Sequence, residues 1–98
     1  KILLANSTVI VTVWRGKRLV GFGRATSDRI YRAVLWDIVV EGNSQGSGLG
    51  RKVVEALLCS KEIQSVEKVY LMTTNSAEFY LQIGFRRCDE QNLLIKSN

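Results

Sequence analysis

The stretch Gln45-Gly46-Ser47-Gly48-Leu49-Gly50-Arg51 constrains this chain more than any other. An apolar run, Val34-Leu35-Trp36-Asp37-Ile38-Val39-Val40, precedes it, and Val53, Val54, Leu57 and Leu58 follow at helical spacing. The order is therefore strand, glycine turn, helix, with the helix expected to run to Ile63. Three glycines within positions 46–50 let the backbone approach a ligand closely and adopt angles that a Cβ disfavours. The free N–H groups at the start of the helix point into that turn and, with the helix dipole, favour an anion. The first expectation is a cradle for phosphate or pyrophosphate.

Several cradles share this outline. A Walker A loop ends in Gly-Lys-Ser/Thr, whereas Gly50 is followed here by Arg51-Lys52-Val53, which excludes it. The dinucleotide fingerprint G-x-G-x-x-G needs glycine where Arg51 stands, and normally opens a parallel βαβ fold. A plain glycine-rich strand-to-helix turn is the competing structural reading. The pattern Gln/Arg-x-x-Gly-x-Gly/Ala is matched in full by Gln45, Gly48 and Gly50. It resembles the coenzyme A loop of the GCN5-related N-acetyltransferases (GNAT).

Length and charge narrow the choice. Residues 1–98 are read as a single domain, long enough for one modest core. The net charge is +5, with Lys and Arg scattered rather than blocked, which suits an anionic ligand better than a nucleic-acid tail. The chain has no histidine, so Ser-His and Cys-His nucleophilic schemes and His-ligated metal sites are excluded. Cys59 and Cys88 are too few for a disulfide framework and fit a reducing compartment. No apolar run approaches the roughly 20 residues of a membrane span.

Lys1–Asn6 is expected to be the last turn of a helix. Strands are expected at Thr8–Trp14, Leu19–Ala25 and Val34–Val40, joined by polar turns at Arg15–Arg18 and Thr26–Arg29 as an antiparallel meander. After the glycine helix, Val66–Met72 is a further strand, so strand, helix and strand make a right-handed βαβ unit with parallel strands. Asn75 and Glu78 have capping-box spacing, Phe79, Tyr80 and Ile83 line one side of a short helix, and Gly84 ends it. Phe85–Asp89 and Leu93–Ile95 are expected to form a final hairpin. The fold class is α/β: a central mixed sheet with flanking helices.

A second segment carries the same resemblance. Asn75-x-Ala77-x-Phe79-Tyr80-x-x-x-Gly84-Phe85 is similar to the second acetyl-CoA motif of the GNAT superfamily, and lies one strand beyond the glycine loop, where that family has it. The Trp36–Val40 strand looks like the cyanobacterial and plastid branch. The resemblance covers residues 7–96 and implies an enzyme that moves an acetyl group from acetyl-CoA directly to a primary amine. The acceptor is a small aryl or alkyl amine or a protein amino group.

The resemblance also implies roles. Ile38, Val39 and Val40 bind the pantetheine arm through backbone groups, with an N–H near Val39 as oxyanion donor. Gly46, Ser47, Gly48, Leu49 and Gly50, with Gln45 and Arg51, hold the pyrophosphate, and Asn75 and Phe79 complete the cofactor contacts. Tyr80 is the candidate general acid for the departing thiolate. Asp37 is the candidate base through a water chain, because the acidic residue that many members carry near Val34 is missing. For each residue a structural role competes: core packing for Ile38–Val40 and Tyr80, a solvated surface for Arg51 and Asp37, an N-cap for Asn75. Cys59, late in the helix, lends no support to a covalent acyl-enzyme.

The family normally opens with a strand and two helices, so the chain reads as an N-terminally trimmed domain or a minimal member. Coenzyme A is the only cofactor expected, with no metal, nucleic acid or membrane partner, a homodimer as one arrangement, and a cytoplasmic location or, in a plastid-bearing organism, the stroma. A non-catalytic acyl-CoA sensor is the rival reading. A small basic nucleic-acid-binding domain is a third, without the aromatic-and-basic sheet signature it would need.

Overall fold

The computed structural model describes residues 7–42 and 46–97. The expected helix tail at residues 1–6, and Gln45, lie outside the described residues. The order is β1 (Ser7–Arg15), β2 (Arg18–Ser27), β3 (Arg32–Val40), α1 (Leu49–Leu58), β4 (Lys68–Leu71) and α2 (Ala77–Ile83). The sheet runs β1-β2-β3-β4, with antiparallel pairing up to β3 and parallel pairing of β3 with β4. The expected meander and βαβ unit are both present.

Period-two patterning gives the sheet its two faces. In β1, Val9, Val11 and Val13 turn toward the core while Thr8, Ile10, Thr12 and Trp14 are exposed. Helix α1 packs Val53, Val54 and Leu57 onto this face, against Ala25, Ala33 and Leu35, with Ile63 beside them. Gly23 makes the approach close: a Cβ there would lie 2.6 Å from Val53 Cγ1 and 2.9 Å from Leu57 Cδ1. The opposite face leaves Ile10, Trp14, Trp36 and Val39 exposed.

One irregularity shapes β3. Arg24 faces Asp37 and Ala25 faces Leu35, so Trp36 is an extra residue, a β-bulge. Such a residue bends the strand and increases its twist. It also inverts the side-chain phase. Ala33 and Leu35 point to the core before it, and Ile38 is packed against the core after it. Pairing with β4 ends one residue earlier, at Leu35↔Leu71.

Several boundaries differ from expectation. Helix α1 stops at Leu58 rather than Ile63, because Ser60 Oγ donates to the Leu57 carbonyl at 2.7 Å and draws the chain into a turn. The turn after β2 lies at residues 28–31, where Asp28 Oδ1 accepts the N–H groups of Ile30, Tyr31 and Arg32. Strand β4 is trimmed to Lys68–Leu71. The expected hairpin over residues 85–95 does not form. Arg86 instead pairs with Glu90 at 3.4 Å, and Leu93, Leu94 and Ile95 are 67%, 87% and 80% exposed, so pairing is not driven by burial. The segment stands off β4, with cavities of about 540 and 380 Å³ along it.

Candidate active site

The candidate site lies beside the bulge. Strand β4 ends at Leu71 while β3 runs on to Val40, so the last five residues of β3 have no β4 partner and the strands part. Glu41 donates its N–H to the Val20 carbonyl at 2.9 Å. By antiparallel alternation Val39 and Asp37 also turn their backbone groups toward β2, and Ile38 and Val40 turn theirs toward the opening. Next to Val39, the backbone N–H that faces the opening is that of Ile38.

The mouth of the opening meets the start of α1. Gly46 and Gly48 have φ of +84° and +82°, the left-handed region that glycine tolerates. Gly48 is the N-cap and no side chain caps the helix. The first turn holds no acidic residue. The helical ladder begins with Lys52 N–H on the Gly48 carbonyl, leaving the N–H groups of Leu49, Gly50 and Arg51 outside it. An anion is the natural complement to such a terminus.

Gly50 joins three elements. A Cβ there would sit 3.5 Å from Phe79 Cζ and 3.6 Å from Val40 Cγ2, so the end of β3, the start of α1 and α2 converge. Phe79 meets Tyr80 edge to face at 4.9 Å, and Tyr80 meets Phe85 likewise at 5.7 Å. Tyr80 lines the 380 Å³ cavity with Val69, Leu71, Met72 and Thr73, beside β4. Burial pushes its phenol above the ordinary 10.0. Its hydroxyl has no hydrogen-bond partner among the described residues.

Other expected residues fall differently. Asp37 lies on the exposed face, its Oδ2 2.9 Å from Arg24 Nε, and no contact joins it to Tyr80. Arg51 is engaged by Glu55 at 2.9 Å, whereas the neighbouring Lys52 is exposed and has no carboxylate partner among the described residues. Asn75 is not an N-cap. Helix α2 starts one residue later than the capping box requires, so Ser76 is the cap, without a side-chain bond, and Asn75 is exposed. Gly84 does end α2, at φ +115°. The sequence reading missed Lys52, and also Arg24, whose pairing with Asp37 depends on the β2–β3 register.

Comparisons with known proteins bear on the family and the fold. An N-acetyltransferase, ycf52, of Pyropia yezoensis is 36% identical over 90 residues, covering 87% of this chain and 52% of the relative. Serotonin N-acetyltransferase 2 of Oryza sativa is 41% identical over 69 residues, covering 69% of this chain and 34% of that protein. The chain thus spans about half the length, or less, of these curated relatives. A GNAT-family structure from Xanthomonas campestris superposes with a TM-score of 0.82 at 23% identity, covering 93% of this chain and 65% of that one. Glucosamine-6-phosphate N-acetyltransferase of Arabidopsis thaliana gives 0.76 at 21% identity, covering 92% and 67%. These two show the shared fold. The description of the acetyltransferase (GNAT) domain matches residues 6–87, and the chain belongs to that family.

Proposed function

We propose that this chain carries the cofactor site and part of the catalytic machinery of an N-acetyltransferase that moves an acetyl group from acetyl-CoA to a primary amine. The observation that carries the reading is the parting of β3 from β4 beside an uncapped helix N-terminus. The residues suit coenzyme A. Pyrophosphate finds backbone donors at Gly46–Gly50, with Lys52 and Arg51 adding charge, while the extended pantetheine finds strand-edge groups at Ile38 and Val40. Phe79 packs where these meet, and Asn75 flanks α2.

Bound acetyl-CoA supplies an activated acetyl group. The Ile38 N–H would hold the thioester carbonyl oxygen and stabilise negative charge developing there. Tyr80, a neutral phenol that burial raises further above 10.0, would donate a proton to the thiolate released as the amine–carbon bond forms and the carbon–sulfur bond breaks, a step worth about 10² to 10⁴ in rate. Asp37 accepts the amine's proton through water at Oδ1, with Oδ2 held by Arg24. Curated relatives named for histone and serotonin acetylation leave the acceptor between protein amino groups and small amines. Chloroplastic and ycf52 relatives favour the plastid stroma or a cyanobacterial cytoplasm.

Isothermal titration with acetyl-CoA, with NAD as control, tests the site. Micromolar binding of acetyl-CoA alone is expected, and equal binding of NAD would refute the assignment. Tyr80→Phe should lose turnover and retain affinity, whereas an acyl-CoA sensor would show no turnover in either form.

A further inference from the structure

The bulge at Trp36 is bridged by four side chains on the exposed face of the sheet. Thr26 and Arg24 stand two residues apart on β2 and so share one face, and the consecutive Trp36 and Asp37 both reach them. Trp36 Nε1 donates to Thr26 Oγ1 at 2.7 Å, Arg24 Nε donates to Asp37 Oδ2 at 2.9 Å, and the Arg24 guanidinium lies 5.9 Å from the Trp36 ring centroid. Arg24 therefore touches both residues at the bulge.

We propose that Arg24, Thr26 and Trp36 are positioning residues: a cross-strand clamp that fixes the bulge and, through it, the separation of β3 from β4. This rests on the reading of that opening as the acetyl-CoA site. The extra residue inverts the phase of β3, and without a tether the bulge can be lost by a one-residue slip of the strand after it. An alternative register would turn Ile38 away from the opening, since a one-residue slip reverses every side chain and backbone group after it. Arg24 and Asp37 are 39% and 50% exposed, so their pair adds little to global stability. The clamp acts on local geometry.

The test uses Thr26→Val, which keeps shape and removes the acceptor, and Thr26→Ser, which keeps it. One hydrogen bond of ordinary net strength corresponds to about a fivefold loss of acetyl-CoA affinity for Thr26→Val. Thr26→Ser is expected within about twofold of the parent. Arg24→Lys keeps the charge but loses the planar fork, and is expected to weaken binding about two- to fivefold. Backbone amide exchange supplies a readout independent of the cofactor. Thr26→Val should raise exchange at residues 36–40 and leave Val9–Val13 unchanged. Parent-like exchange and affinity in Thr26→Val would overturn the proposal, as would acceleration across the whole sheet. If the parent chain binds no acetyl-CoA, the functional reading fails, and the clamp is decided by the exchange pattern alone.

Discussion

Gly23→Ala tests how helix α1 is seated. The added methyl would lie 2.6 Å from Val53 Cγ1 and 2.9 Å from Leu57 Cδ1, against about 3.5 to 4.0 Å for an unstrained carbon contact. Val53 is fully buried and β-branched, so it has little rotamer freedom with which to retreat. The helix must lift by about 1 Å, or the core must strain, and with two such clashes the cost lies in the upper part of the overpacking range, about 2 to 3 kcal/mol. Replacing glycine within a strand returns about 0.5 to 1 kcal/mol of backbone entropy. The net loss is about 1 to 2 kcal/mol, a fall of roughly 5–15 °C in Tm for a domain of this size. Urea denaturation followed by circular dichroism measures it. Val53→Ala opens space for the methyl, so the double variant should lose at least about 1 kcal/mol less than the sum of the singles. Acetyl-CoA affinity should fall in Gly23→Ala and recover in part in the double, because the same helix carries the glycine turn. A neutral Gly23→Ala, or strict additivity with Val53→Ala, would refute the close seating.

Gly48→Ala meets no atom within 4 Å, so only its left-handed φ of +82° resists, and a loss of about 1 to 2 kcal/mol in urea denaturation is expected. The N–H groups of Arg32, Ile30 and Tyr31 hold the Asp28 carboxyl below its ordinary 3.8. Its contribution to stability is present above the ordinary carboxylate value and lost as pH falls through the lowered one, so Asp28→Asn should flatten the acid limb of a stability-pH curve in that window. The Tyr80 phenol donates only while neutral and is raised above 10.0, so the alkaline fall in kcat that depends on it should lie beyond that value. Rate-pH profiles of the parent and Tyr80→Phe would check this, the variant lacking that limb.

The glycine turn and the strands around it were legible because their signals are local. Alternating Val9, Val11 and Val13 describe a half-buried strand, and Gly46 and Gly48 mark positions where the backbone turns left-handed. What escaped depends on contacts distant in sequence. The bulge at Trp36 follows from the β2–β3 register, so neither the Arg24–Asp37 pair nor the end of β4 pairing at Leu71 could be read from β3 alone. Asn75 shows the limit of a motif. Its spacing to Glu78 fits a capping box, but the helix begins one residue later. Leu93–Ile95 has the composition of a strand but stays exposed, because propensity without a surface to bury against does not order a strand.

The extra residue in β3 also bears on how such a site tolerates change over evolutionary time. Side chains along Ile38–Val40 can be exchanged one at a time while Trp36 and Asp37, held by Thr26 and Arg24, still stand opposite Arg24. The parting of the strands is thus written in the number of residues between Leu35 and Asp37 as well as in the clamp at Trp36. Point substitutions tune the lining of the opening. A single-residue deletion at 36 restores regular alternation against β2, so residues 38–40 should accept a varied alphabet and the segment almost no change of length.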